Sequence, residues 1–257
     1  MNELRVSIIQ TDLEWENPEE NRTNFEKEIA RLPETDLVVL PEMFTTGFTM
    51  NAEPNAEAPE GPTLQWMQFI SKSNQIAITG SIIVKEANQF FNRLYFVKPD
   101  GSYETYDKRH TFTLAGEDKA YTSGNKKLIV EYKGWKICPL ICYDLRFPVW
   151  IRNVENYDVV LFVANWPERR VSAWDALLKA RAIENMAYCI GVNRIGEDGN
   201  GHPYVGHSAV YDVLGERISK SHWEMPFSET LTLYKEHVLS LREQLQFLAD
   251  RDAFNLE

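Results

Sequence analysis

In the stretch "KICPLICYDLRFPVW", residues 136–150, a mainly apolar run ends at a cysteine. The first six residues of the stretch form this run, which is typical of a strand buried on both faces. Polar, charged and turn-forming residues follow directly, and Cys142 is the residue at which the pattern changes. Reactive groups of open α/β sheets collect just beyond the carboxyl ends of strands. The stretch therefore predicts an α/β protein in which Cys142 lies at a sheet edge suited to chemistry.

Strand and helix patterns alternate on both sides of this stretch. "DLVVLPE" (36–42) and "YDVVLFVANW" (157–166) are two further buried strands that end in polar residues, and their likeness indicates two similar halves. Helices are predicted from Pro18, after a capping Asn17, and over 172–187. Further strands are predicted at 189–195, 207–213, 216–220 and 228–233, before a last helix from about 235. Strands apolar on both faces predict sheets covered by helices, in a single domain spanning 1–257.

Composition excludes several classes of function. The chain has 257 residues and a net charge of −11, which argues against a nucleic-acid partner. No apolar run approaches the roughly 18 residues of a membrane span, and residues 1–10 do not resemble a signal peptide. The three cysteines fit neither a disulfide framework nor a zinc site. We expect a cytoplasmic protein with reduced thiols, without a metal or cofactor and without a membrane partner.

Three chemically useful residues follow predicted strands: Glu42, Lys108 and Cys142. Each alone has an ordinary interpretation, because strand-end cysteines are often buried and single Glu or Lys residues are usually solvated. Together they match the needs of acyl transfer. A carboxylate accepts the thiol proton, the thiolate attacks, and an ammonium stabilises the oxyanion.

Three motifs in this order resemble the catalytic signatures of the nitrilase (carbon–nitrogen hydrolase) superfamily: "LPEMFTTGF" (40–48), "YDKRHTF" (106–112) and "LICYDLRFP" (140–148). The resemblance continues through "NWPERR" (165–170) and "GHSAVYDVLGE" (206–216), so it covers essentially the whole chain. It implies a four-layer α-β-β-α sandwich and a Glu–Lys–Cys triad.

Carried over by position, the resemblance makes Glu42 the general base, Lys108 the oxyanion-stabilising cation and Cys142 the nucleophile. The backbone N–H of Tyr143 is then a second oxyanion donor. Glu117 occupies the place of a further family glutamate that orients the lysine or the substrate, although it also fits a solvated loop acid. The remaining polar and thiol residues of interest are interpreted as structural: Cys138, Cys189, His110, His207, Asp144 and Arg146.

Within the superfamily the motifs most resemble the omega-amidase branch, which hydrolyses the terminal amide of 2-oxo acids. The expected partner is therefore a small-molecule amide. Arg169 or Arg170 is expected to bind its carboxylate, and Trp166, Phe44 and Phe112 to form an apolar wall. Alternatives are a nitrilase, a carbamoyl-amine hydrolase, a deaminated-glutathione amidase, or a catalytically silent binding protein on the same fold.

The C-terminal segment, about 235–257, is expected at the interface of a homodimer. This expectation comes mainly from the family resemblance. The sequence adds a cluster of leucines and a phenylalanine in the segment 239–248, which needs a covering surface.

Overall fold

The structure is a computed structural model that describes residues 2–256. Within these residues, thirteen strands form two large sheets and one hairpin. The strands are β1 (Glu3–Gln10), β2 (Leu37–Val39), β3 (Ala77–Glu86), β4 (Gln89–Val97), β5 (Tyr103–Asp107), β6 (Val130–Tyr132), β7 (Trp135–Ile141), β8 (Val159–Val163), β9 (Tyr188–Val192), β10 (Ile195–Glu197), β11 (Pro203–Val205), β12 (Ala209–Tyr211) and β13 (Phe227–Tyr234).

The two large sheets have related architectures. The six-stranded sheet has the order β13-β1-β2-β3-β4-β5, and the five-stranded sheet has the order β12-β9-β8-β7-β6. In each, a central strand is parallel to both neighbours: β2 in the first sheet and β8 in the second. These are the strands of the two similar sequence stretches, so the expectation of two similar halves is confirmed.

In residues 2–256, seven helices accompany the sheets, and the three longest cover the outer faces. Within the described residues they are α1 (Pro18–Ile29), α2 (Ala52–Asn55), α3 (Pro62–Asn74), α4 (Glu117–Ala120), α5 (Pro148–Ile151), α6 (Val171–Asn185) and α7 (Lys235–Leu245). The predicted start of α1 is confirmed, because the Asn17 side chain accepts a hydrogen bond from the Glu20 N–H ahead of Pro18.

Successive side chains of a strand point to opposite faces of its sheet, and this alternation separates two main cores. In β2, Leu37 and Val39 belong to the core shared by the two sheets, whereas Val38 belongs to the core under α1 and α3. On the far side, Trp174 and Leu178 of α6 pack against the five-stranded sheet. The order of layers is therefore helix, sheet, sheet, helix, and the predicted α-β-β-α sandwich in a single domain is confirmed.

One predicted strand, 216–220, is wrong. This segment contributes only an isolated bridge between Arg217 and Tyr211. The Asp212 carboxylate holds the preceding turn by accepting hydrogen bonds from the backbone N–H groups of Leu214 and Glu216. Regular pairing does not continue beyond the bridge, because the Val210 N–H donates to the Ser219 hydroxyl and not to a backbone carbonyl. In the described part of the chain, no helix combines the length and apolar character needed to span a membrane.

Candidate active site

Cys142 lies on a sharp turn directly after β7. Its φ is +42°, an uncommon value for a residue with a side chain, and it begins a 3₁₀ turn over Cys142–Arg146. Asp144 stabilises the turn, because its buried carboxylate accepts a hydrogen bond from the Ile141 N–H at 3.1 Å. The turn directs the thiol away from the strand and towards a cavity.

The structure brings Glu42, Lys108 and Cys142 together. Glu42 follows β2, Lys108 follows β5 and Cys142 follows β7, so the group combines strand ends from both sheets. Lys108 Nζ donates to Glu42 Oε1 at 2.8 Å, and both side chains are almost completely buried. The three residues therefore share one water-poor site, in which electrostatic interactions are strong.

Glu117 lies in the same cluster. It is the first residue of α4, within the long connection after β5, and it is fully buried. Both of its carboxylate oxygens accept hydrogen bonds from Lys108 Nζ at 2.9 Å, and Oε2 also accepts one from the Phe112 N–H at 2.5 Å. The alternative interpretation of Glu117 as a solvated loop acid is wrong.

Two asparagines that the sequence analysis did not single out complete the cluster. Asn165, just past β8, donates its backbone N–H to Glu42 Oε2 at 2.8 Å and its side-chain amide to the Glu42 carbonyl. Asn92, in β4, donates Nδ2 to Glu42 Oε1 at 2.8 Å and to Glu117 Oε1 at 3.3 Å. For Asn92 the available signal was its place, next to Arg93, in the mainly apolar run "FFNRLYFV" (90–97).

The charges at the site follow from these contacts. Burial alone would lower the pKa of Lys108, but the adjacent carboxylates of Glu117 and Glu42 raise it above its ordinary value. Burial and then the charge of Glu42 raise the pKa of the Cys142 thiol, and burial raises the pKa of Glu117. The resting site thus holds an ammonium and a neutral thiol, and Lys108 has no tendency to act as a base.

A cavity of about 560 Å³ opens onto Cys142. Its wall includes five of the residues predicted to bind substrate: Phe112, Tyr143, Trp166, Arg169 and Arg170. Trp15, Phe48 and Tyr204 add aromatic surface that the sequence analysis did not predict. The volume and the mixed aromatic and polar lining suit a small organic molecule.

Phe44 was predicted for this wall, and that prediction is wrong. Its side chain is fully buried in the core beneath α1 and α3, 5.5 Å from the Phe25 ring and 5.9 Å from the Trp66 ring. Met43, at φ +41°, starts a tight turn that directs Phe44 to the other side of the sheet. Phe48 lines the cavity instead, with its ring 5.1 Å from Lys108 Nζ.

Three arginines also line the cavity. Arg170 is half-buried with its guanidinium 4.9 Å from the Phe112 ring, and Arg169 is more exposed. Arg146 was interpreted as a residue that holds the turn, but its guanidinium lies 4.9 Å from the Trp166 ring. Burial and the neighbouring Arg169 lower the pKa of Arg170. In the described part of the chain, none of the three forms an ion pair with a carboxylate.

The other residues interpreted as structural have structural contacts. His110 donates its backbone N–H to Asp144, and its Nδ1 lies 2.8 Å from the same carboxylate. His207 contacts Asp175 at 3.0 Å. Cys138 and Cys189 are buried in the core, and burial raises the pKa of each thiol. Residues 2–256 contain no cluster of three or more His, Cys, Asp or Glu side chains suited to a metal ion.

Comparison with known proteins agrees with this geometry. The family model for carbon-nitrogen hydrolases matches residues 5–233. The chain is 42% identical to an omega-amidase, YafV, from Yersinia enterocolitica over all of both chains. It is 31% identical to a 2-oxoglutaramate amidase from Bacillus subtilis, over 84% of this chain and 85% of that protein.

A solved structure extends the agreement to three dimensions. XC1258 from Xanthomonas campestris, a CN-hydrolase superfamily protein with an arsenic adduct in its active site, is 41% identical over all of both chains and superposes with a TM-score of 0.97. The family model and the full-length relatives lead to one conclusion: this chain belongs to the carbon-nitrogen hydrolase family.

Proposed function

We propose that this chain is an amidase that hydrolyses the terminal amide of a short 2-oxo acid, of the 2-oxoglutaramate or 2-oxosuccinamate type, to a carboxylate and ammonia. The observation that carries the proposal is the position of Cys142. Its thiol lies between the buried Glu42–Lys108 pair and a cavity lined by arginines that have no carboxylate partner among residues 2–256. The names of the similar omega-amidase and 2-oxoglutaramate amidase support the same substrate class.

Acylation begins with the neutral thiol. As Sγ attacks the amide carbon, Glu42 accepts the thiol proton, so no free thiolate has to form in advance. The negative charge that develops on the amide oxygen is stabilised by the Lys108 ammonium and the Tyr143 backbone N–H. The C–N bond then breaks, Glu42 returns the proton to the leaving nitrogen, and ammonia departs from a thioester on Cys142.

Deacylation uses the same groups a second time. A water molecule attacks the thioester carbonyl while Glu42 accepts its proton, and Lys108 again stabilises the oxyanion. The C–S bond breaks, Glu42 returns the proton to the sulfur, and the acid product leaves and loses its remaining proton to water or ammonia. Glu117 does not transfer protons in this scheme; its two contacts with Lys108 Nζ hold the ammonium in place.

The distal carboxylate of the substrate requires a cation other than Lys108, which is committed to the oxyanion. Arg170 fits this role, because it is half-buried beside Phe112 and its guanidinium is available for a bidentate contact. Arg146, on the Trp166 ring, adds positive potential nearby. Since the whole chain carries a net charge of −11, this local cluster is what attracts an anionic substrate.

The test is ammonia release from matched substrates. We expect kcat/KM for 2-oxoglutaramate to exceed that for an equal-length amide lacking the carboxylate by at least about tenfold, or about 1.4 kcal/mol. Simple nitriles and carbamoylated amines serve as controls for the related reactions. A preference below about tenfold, or faster turnover of a nitrile or a carbamoylated amine, would refute the proposed substrate class.

We also propose that the chain is a homodimer that works in the cytoplasm. Leu239 and Phe247 of the C-terminal segment are 50% and 56% exposed, which is unfavourable for apolar side chains without a covering surface. The free thiols of Cys138, Cys142 and Cys189 suit a reducing compartment. Light scattering at micromolar protein tests the assembly, and the mass of one chain, 29.8 kDa, would refute the dimer.

A further inference from the structure

The side-chain amide of Asn92 lies between the two buried carboxylates of the site. Asn92 is 1% exposed, and its Nδ2 donates to Glu42 Oε1 at 2.8 Å and to Glu117 Oε1 at 3.3 Å. Each of these oxygens also accepts a hydrogen bond from Lys108 Nζ, at 2.8 Å and 2.9 Å. Asn92 and Lys108 therefore bridge the same two carboxylates.

The orientation of this amide is set by the carboxylates. Asn92 Oδ1 is buried and has no hydrogen-bond donor among the described residues. Turning the amide over would bring Oδ1 against the oxygens of Glu42 and Glu117, and two acceptors without a proton repel each other. An unpaired buried oxygen is itself unfavourable, so a residue needed only for packing would be apolar at this place.

The charge balance explains why the site needs such a donor. Two carboxylates share one ammonium, and the acyl-transfer scheme requires Glu42 to be ionised before the thiol reacts. Backbone N–H groups reach one oxygen of each: Asn165 donates to Glu42 Oε2 and Phe112 to Glu117 Oε2. A neutral amide with two N–H bonds stabilises both remaining oxygens without adding a second positive charge.

We infer that Asn92 is a positioning residue that holds Glu42 directed towards Cys142 by donating to the Glu42 and Glu117 carboxylates at once. This inference rests on the function proposed above, in which Glu42 is the general base. A variant without the amide donors leaves these carboxylate oxygens with fewer hydrogen bonds, so we expect the acid limb of its kcat/KM profile to move to higher pH. The titratable groups that face Glu42 and Glu117 are Lys108, the Cys142 thiol and the Tyr121 phenol.

Two substitutions test this role. Asn92→Leu removes both donors at similar volume, and Asn92→Asp keeps the shape but replaces the donors with acceptors. We expect the acid limb of kcat/KM to move up by about one pH unit in Asn92→Leu and further in Asn92→Asp, with kcat lower by about tenfold or more. Thr79→Val is the matched control, because Thr79 Oγ1 is a buried polar atom of the same sheet that also has no partner among residues 2–256.

Thermal unfolding of each variant separates positioning from folding. The inference fails if the acid limb stays at its wild-type position in both Asn92 variants while kcat stays within about threefold. It also fails if neither variant folds although Thr79→Val does, because Asn92 is then a structural residue. An active Cys142→Ala enzyme would instead refute the proposed function itself, so the two failures are distinguishable.

Discussion

Replacing Glu117 by glutamine tests whether the second buried carboxylate is needed to hold Lys108. Glu117 is surrounded only by donors: Lys108 Nζ contacts both oxygens at 2.9 Å, Phe112 N–H contacts Oε2, and Asn92 Nδ2 contacts Oε1. A glutamine has one oxygen and one NH₂ group. In either orientation the NH₂ group faces Lys108 and one further donor, so at least one charge-assisted hydrogen bond is lost.

The size of the effect follows from that loss. A hydrogen bond to a charged group contributes about 1.5–3 kcal/mol, which corresponds to about 10- to 150-fold in rate when the interaction supports the transition state. Lys108 is then attracted mainly to Glu42, which makes that carboxylate a weaker base. We therefore expect Glu117→Gln to lower kcat by about 10- to 150-fold and to change KM little.

Ammonia release from 2-oxoglutaramate measures kcat and KM for this variant. Asp118→Asn is the matched control, because Asp118 lies on the same short helix, undergoes the same chemical change and is exposed to solvent. Its kinetics should stay within about twofold of wild type. A Glu117→Gln enzyme that keeps more than about a third of the wild-type kcat, or an equal loss in the control, would refute the reasoning.

Four further outcomes are expected. Cys142→Ala should abolish hydrolysis while the protein still folds. With the wild type and a slow substrate, intact-mass spectrometry should show an acyl adduct on Cys142. An adduct on another cysteine would contradict this. Glu42→Gln should lower kcat by about 10²–10⁴-fold, because an amide cannot accept the thiol proton; activity above about a tenth of wild type would exclude it as the base. Arg170→Met should raise KM for 2-oxoglutaramate by about tenfold or more and leave the neutral amide unaffected, whereas an equal change for both substrates would exclude a carboxylate contact. Arg5 and Lys133 counteract burial and lower the pKa of Asp36 to about 2 from its ordinary 3.8. The stability that Asp36 contributes is therefore present above pH 4 and is lost as the pH falls towards 2. In urea unfolding, the free energy of unfolding of Asp36→Asn should depend less on pH in that range than that of the wild type, and an unchanged dependence would contradict this.

The strand-end residues were predictable from the sequence because their pattern has a simple physical basis. A buried strand shows as an apolar run, and the polar residue that ends it must lie at a sheet edge. Glu42, Lys108 and Cys142 therefore lie near the predicted place. The spacing of these residues along the sequence does not predict that three strand ends, from two sheets, meet at one point. That expectation came from the family resemblance.

Side-chain direction within turns was not predictable. Phe44 and Phe48 are both aromatic residues close to Glu42, but the turn that begins at Met43 buries Phe44 in the core and leaves Phe48 to line the cavity. Arg146 illustrates the same problem, because the 3₁₀ turn after Cys142 directs its guanidinium to the Trp166 ring. Local sequence sets which residues form a turn, whereas backbone dihedral angles and tertiary contacts set where their side chains point.

The contacts that hold the site together lie across the interface between the sheets. Glu42 and Lys108 follow strands of the six-stranded sheet and Cys142 follows a strand of the other, so their separation depends on how the sheets are joined. Beside the site, the Asp144 carboxylate next to Cys142 accepts hydrogen bonds from Tyr106 of β5 at 2.8 Å and from the backbone of His110, two residues after Lys108. One buried carboxylate thus fixes the turn that carries Cys142 and also ties it to the segment that carries Lys108. Because the proposed attack requires the reacting atoms to be aligned to within about an ångström, we expect Asp144 to support it by position and not by proton transfer.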